Sequence, residues 1–410
     1  MHCARYAEGN ILVTKFPTSY HHQTRAVRHI STNLLVCLIV SCLVVLAWGS
    51  SGEAAQLIDL GTNTVAYNFS ANGQYICGSA YRSGSGPFPV LWNLRTLQRH
   101  PANPSAAETF LNSGGDFGEA KGMGINGTIA GTLSSQSNLS AVGSDQPVSW
   151  NASTAASTNL GTSGRTSCIS ADGTTIVVNQ TSTFNISYGQ NYGESINGTG
   201  QVYACNQNGA ILAGISGNSA YVWQNSGGAL NSVVSVTGTY FATSLTGMIL
   251  GGQMENSTQL GFYNSVFGMP QVSSASSTTI NLVGYIEALL SEHRANGWES
   301  DSVLGLNNSG SIAVGQYLDS NYKSHGFRAT FDKDGGDSGN DNSSNDSSAL
   351  TVEDWILYKA GVEFSGGART SGLLTYNAVG TDFDGDAVVG QLSNSGSAGD
   401  AYLAIDSVGL

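Results

Sequence analysis

Ser167-Cys168-Ile169-Ser170-Ala171-Asp172-Gly173-Thr174-Thr175-Ile176-Val177 reads as two short strands around a tight turn. Asp-Gly supplies the positive φ that such a turn requires. The apolar residues on either side suit half-buried strands. The same unit recurs at residues 66–78, 120–131, 204–214, 303–315 and 378–390, with a degenerate copy at 242–252. Its turn glycines are Gly73, Gly127, Gly173, Gly209, Gly247, Gly310 and Gly385. Each copy carries an aliphatic residue before the turn. Most close on a Gly, which permits a bulge or close backbone approach.

A second element follows each hairpin at a variable distance. It reads Pro89-Val90-Leu91-Trp92, Pro147-Val148-Ser149-Trp150, Ala220-Tyr221-Val222-Trp223, Gly326-Phe327-Arg328-Ala329 and Ala401-Tyr402-Leu403-Ala404. Each is a short strand with one bulky anchor. At equivalent repeat positions, Trp92, Trp150 and Trp223 are expected in the core, one per unit, rather than as an exposed carbohydrate platform. One unit cannot bury its own apolar face, whereas stacked units can. Four strand-length segments per unit predict an all-β chain folded as a β-propeller of about seven degenerate hairpin repeats. A β-solenoid or a sandwich is the alternative. Two short helices are expected in the C-terminal part, at residues 285–293 and 352–359, from their apolar spacing.

The flanking segments set the domain plan. Residues 34–48 read LLVCLIVSCLVVLAW, preceded by Arg25, Arg28 and His29 and followed by small residues up to Ala54-Ala55. Basic flank, short apolar run and small-residue exit form a secretory signal. Fifteen residues fall short of the roughly 20 a membrane-spanning helix needs. Residues 1–54 are therefore read as a signal peptide with an N-terminal extension, cleaved near Ala54. An uncleaved anchor that tethers the protein to the membrane is the alternative. Residues 55–331 form the repeat domain. Residues 332–349 form an acidic Gly/Ser/Asn linker. Residues 350–410 hold a helix and the final repeat that completes the propeller. After cleavage no membrane association is expected, and the location is secreted or in the cell envelope.

The 410 residues carry a net charge of −13 and 10% charged side chains. Loss of four cations and two anions with the leader takes the charge to −15. An acidic chain without clustered Lys or Arg is not suited to nucleic acid. Of the six Cys, Cys77, Cys168 and Cys205 lie beyond the leader, without CxxC spacing. They read as small buried strand residues, with one intramolecular bridge open to them in an oxidising compartment.

Chemistry is sparse. His100, His293 and His325 are the histidines beyond the leader, and neither HExxH nor GxSxG occurs. No catalytic or cofactor-binding residue is assigned. Two carboxylate groups offer calcium ligands: Asp382, Asp384 and Asp386 at the Gly385 turn, and Asp332, Asp334 and Asp337 in the linker. Turn chemistry and a solvated linker account for both groups without a metal. The reading is a binding scaffold for a protein or glycan ligand, with no activity inferred. The alternatives are a glycan hydrolase or lyase, for which Asp172, Asp301 and Asp384 are unpaired carboxylate candidates, and a structural envelope component.

These repeats resemble the HAF-type extracellular repeat proteins of bacteria. Leu60-Gly61-Thr62 leads into the Gly73 unit, and Leu160-Gly161-Thr162 into the Gly173 unit. His325-Gly326-Phe327 is the nearest match to the His-Ala-Phe string behind the family's name. The resemblance spans about residues 56–410. It implies export and a repeated β fold, and carries over no activity and no catalytic residues.

Overall fold

In the computed structural model the chain divides into two units, residues 1–53 and residues 54–410. The structure describes residues 56–406 except 83–84, 115, 137–144, 155, 189–193, 226–229, 244–249, 256–262, 273–279, 284–299, 319–323, 331–347, 352–374, 383 and 395–396. The expected leader, both C-terminal helices and the acidic linker up to residue 347 lie outside these residues. The last two positions assigned to the linker instead open strand β24 (Ser348–Thr351), which pairs with the preceding strand.

The described chain is an antiparallel β-propeller. Its strands form six hydrogen-bonded sheets, five of four strands and one of seven. The first sheet shows the pattern: β2 (Val65–Phe69), β3 (Tyr75–Arg82), β4 (Ser85–Asn93) and β5 (Glu108–Phe110) pair in chain order. The Gly73 turn joins β2 to β3, and Trp92 sits on β4. The seven-stranded sheet holds two repeats. Its long strand β17 (Leu230–Thr243) pairs with β16 (Ser219–Asn225) through residues 230–237. It pairs with β18 (Leu250–Glu255) through residues 238–243. Gly209 and Gly247 are only 38 positions apart. One long strand serves both repeats, as the outer strand of one and the inner strand of the next. Seven repeat units thus fall in six sheets, close to the roughly seven blades expected from the turn glycines.

The last sheet closes the ring. Its strands are β25 (Thr375–Thr381), β26 (Ala387–Asn394), β27 (Ser397–Ile405) and, from the other end of the chain, β1 (Gln56–Asp59). Gln56 stands opposite Ile405 and Asp59 opposite Tyr402. Just beyond β1, Leu60 N–H donates to the Ala401 carbonyl at 2.8 Å.

The apolar core lies between neighbouring units. One cluster joins Ile58, Phe69, Ile76 and Trp92 to Val389, Leu403 and Ile405, across the closure. Others join Leu91 to Ile129 and Trp150, Val177 and Phe184 to Leu212 and Trp223, and Val314 to Val388 and Tyr402. Each buried aliphatic side chain contributes about 1.5–3 kcal/mol. Each of these clusters spans neighbouring units, so stability comes from stacking. The three Trp anchors are 0%, 1% and 3% exposed, as their repeat positions predict.

The Ser/Asn/Asp-x-x-Gly signature is a self-satisfied turn. Six of the seven turn glycines have φ between +67° and +86°; Gly247 lies outside the described residues. Three positions before the glycine, Ser170 Oγ accepts from Thr175 N–H, Asn206 Oδ1 from Ile211 N–H, Asn307 Oδ1 from Ile312 N–H and Asp382 Oδ1 from Ala387 N–H. The side chain thereby replaces water for a donor inside the turn. Neighbouring turns are stitched by backbone bonds, Ile125 N–H to Ala171 O and Asp172 N–H to Gln207 O, both at 2.8 Å. One helix was not foreseen: α1 (Leu94–Arg99), capped by Asn93 Oδ1 on Thr96 N–H. Six residues are too few for a periodic signal.

Candidate functional site

The innermost strands are β2, β6 (Phe117–Met123), β10 (Arg165–Ile169), β14 (Gln201–Cys205), β17, β21 (Ser300–Leu306) and β25. All seven line one central cavity of about 420 Å³. That volume lies in the range of small-molecule sites, roughly 300–1,000 Å³.

Every inner strand carries a bulge at the same place. The register against the next strand skips one residue between 66 and 68, 120 and 122, 166 and 168, 202 and 204, 240 and 242, 303 and 305, and 378 and 380. The skipped residues are Tyr67, Lys121, Ser167, Tyr203, Phe241, Leu304 and Val379. All seven line the cavity, and all seven are half-buried. An extra residue in one strand re-aims its side chain out of the ladder. The closing glycines make the bulge sterically feasible. A Cβ on Gly131 would lie 2.0 Å from Glu119 O and 2.7 Å from the Trp150 ring. One on Gly390 would lie 1.9 Å from Asn377 O and 2.8 Å from the Tyr402 ring.

The ring is chemically two-sided. Tyr67, Lys121, Ser167 and Tyr203 form a polar arc, and Phe241, Leu304 and Val379 an apolar one. They meet where the Tyr203 and Phe241 rings pack at 5.4 Å between centroids. Tyr203 Oη donates to Gln201 Oε1 at 2.8 Å. Ser167 Oγ donates to Val202 O.

The polar arc is anchored by Glu119, 1% exposed. Its carboxylate accepts Tyr67 Oη at 2.5 Å and Arg165 Nη2 at 3.1 Å, and Lys121 Nζ lies at 3.3 Å. Lys121 Nζ also stands 3.5 Å from the centre of the Tyr67 ring. Burial alone would raise the Glu119 carboxyl, but Lys121, Arg165 and the Tyr67 hydroxyl outweigh it and hold it below the ordinary range. Burial pulls the Lys121 ammonium down, against the attraction of Glu119. Burial and then Glu119 push the Tyr67 hydroxyl up. A carboxylate held this way is a clamp that fixes Tyr67 and Lys121 in the wall.

The sequence-predicted residues fall into separate roles. Asp382 Oδ1 accepts Gly385 N–H and Ala387 N–H, and its carboxyl, on the cavity wall, is pushed up by burial to about 6. Asp384 is exposed and Asp386 half-buried. Arg328, from the neighbouring sheet, donates to Gly385 O at 3.0 Å, with Asp386, Asp406 and Asp382 as its charge partners. Asp332, Asp334 and Asp337 lie outside the described residues, as does His293. Among the described residues no three His, Cys, Asp or Glu side chains converge on one point. Asp172 accepts within its own turn, from Thr174 N–H and Ser170 Oγ. His325 stacks on its cross-strand partner Tyr317 at 5.1 Å. The bulge ring was missed at the level of sequence, although a signal existed. Each ring residue stands six positions before its turn glycine, in all seven repeats.

No family model and no curated protein matches the chain. Several solved propeller structures are similar to it in outline. TolB from Acinetobacter baumannii matches at 11% identity over 51% of this chain and 52% of its own, with a TM-score of 0.33. The match thus spans about half of that protein. The β-propeller domain of the Trilobed protease from Pyrococcus furiosus matches at 8% identity over 83% and 93%, with a TM-score of 0.46. The acylaminoacyl peptidase of Pyrococcus horikoshii matches at 9% over 86% and 51%, with a TM-score of 0.45.

Proposed function

We propose that the protein is an exported binding scaffold that takes a saccharide end into its central cavity. The observation that carries this reading is the ring of seven bulged residues. The fold spends an irregularity in every repeat to aim a side chain at one point, and varies that side chain while keeping the rest. Tyr203 and Phe241 offer an aromatic face on which a sugar ring stacks. Asn68, Gln207 and Asn308 line the same cavity with amides suited to hydroxyl groups. The leader-like segment and the resemblance to exported HAF-type repeats support a secreted or envelope location. No helix among the described residues is long and apolar enough to cross a membrane.

Binding is favoured over glycan cleavage by the carboxylates. Hydrolysis takes two carboxyl groups about 5–10 Å apart across the bond. Among the described residues lining the cavity, Asp382 is the lone carboxylate, and two backbone donors already hold it. The test is a glycan-array screen of the secreted chain, followed by calorimetry on the best ligand. Tyr203→Ala and Phe241→Ala should each weaken binding at least tenfold with an unchanged circular dichroism spectrum. Tyr81→Ala, on the exposed outer surface, should leave it intact. Equal affinity in all three variants, or release of shortened glycan, would overturn the reading.

A further inference from the structure

We propose that Cys168 and Cys205 are a site of reversible thiol–disulfide chemistry, closing a cross-link between the third and fourth repeats in the cavity wall. Cys168 directly follows the bulged Ser167 on β10, and Cys205 stands two places after the bulged Tyr203 on β14. The ring geometry brings that pair of positions together at successive units. At the previous interface the corresponding residues are Gly122 and Ile169. A Cβ on Gly122 would stand 2.9 Å from Ile169 Cγ2. A disulfide needs Cβ atoms roughly 3.5–4.5 Å apart, and the equivalent positions at the previous interface are close enough for direct side-chain contact.

Two further observations agree. Cys168 and Cys205 pack against the same core cluster, with Phe184, Leu212 and Trp223, and burial pushes the Cys168 thiol up. Both residues line the cavity, so a small reagent reaches them. Cys77 is 0% exposed in a different core cluster and has no such access.

The chemistry balances with an external disulfide such as oxidised glutathione. One cysteine thiolate attacks a reagent sulfur, forming a mixed disulfide and releasing one reagent thiol. The second cysteine thiolate attacks the protein sulfur of that mixed disulfide, forming Cys168–Cys205 and releasing the second reagent thiol. The two protein thiols lose two protons and two electrons, and the reagent disulfide gains both. This site is independent of the ligand proposed above.

The folded full chain is incubated with excess oxidised glutathione, alkylated, unfolded and digested with chymotrypsin, which cuts after Phe184 and Tyr188 between the two cysteines. The expected product is a linked peptide pair, lighter by two hydrogens than the separate thiol peptides and released by dithiothreitol. Cys168→Ser and Cys205→Ser should each abolish it, while Cys77→Ser keeps it. Recovery of Cys168 and Cys205 from the wild-type chain as separately alkylated or glutathionylated peptides would overturn the proposal, whether or not the variants fold.

Discussion

Five of the repeats share one turn, while all seven differ from their neighbours at the bulge. At the turn, Ser70, Ser170, Asn206, Asn307 and Asp382 each place an oxygen acceptor three positions before a glycine with positive φ. Three positions earlier still, the ring reads Tyr, Lys, Ser, Tyr, Phe, Leu, Val. Both places are fixed by the same strand pairing. The turn must satisfy its own buried donors, and few residue types do so. The bulge points into an open cavity, where the fold constrains the direction of the side chain and not its chemistry. Uniformity therefore marks what holds the propeller together. Variation at a uniformly placed position marks what it presents to a ligand.

The sharpest way to break this contrast is at the glycine that seats a bulge. Gly131→Ala drives a Cβ to 2.0 Å from Glu119 O. The backbone cannot yield without losing the ladder between β6 and its partner. We expect a loss of about 3 kcal/mol or more by urea denaturation, at the upper end for overpacking. A loss under 1 kcal/mol would mean that the bulge is not built on this contact.

The next effect separates the one turn acceptor that titrates. Asp382 ionises at about 6 in the fold, against about 3.9 in an unfolded chain. Between those values folding takes up a proton. Its stabilising contribution is therefore full below pH 4 and is lost as pH rises through 6. The expected span is about 3 kcal/mol. Asp382→Asn keeps the acceptor oxygen and should remove that decline, measured as the difference between the stability–pH curves of variant and wild type from pH 4 to 8. Parallel curves would refute the assignment. The smallest effect is at Ser170→Ala, which leaves Thr175 N–H without its side-chain acceptor. About 1 kcal/mol is expected, with no change in ligand affinity.

Much of this architecture was legible in the residues. Asp172-Gly173 and its counterparts marked the turns because φ > 0 restricts composition. Trp92, Trp150 and Trp223 marked the third strands because one large anchor per unit fills each interface. The closure by β1 was not legible, since Gln56-Leu57-Ile58-Asp59 pairs with the other end of the chain and carries no local sign of it. The bulge ring was hidden for a different reason. A bulge is a property of register between two strands, and only the common spacing from the turn glycines betrays it. The calcium candidates were grouped by proximity in sequence. In the fold, Asp382 turns inward to cap its hairpin while Asp384 faces solvent.

Hydroxyl-radical footprinting of the native chain tests the central contrast most directly, because it reads side-chain access residue by residue. The bulge aromatics Tyr67, Tyr203 and Phe241 should be oxidised, and a bound saccharide should protect them. The anchors Trp92, Trp150 and Tyr402 should stay unmodified in both states. Oxidation of the anchors at rates equal to the bulge residues, or saccharide protection that bypasses Tyr203 and Phe241, would contradict the account.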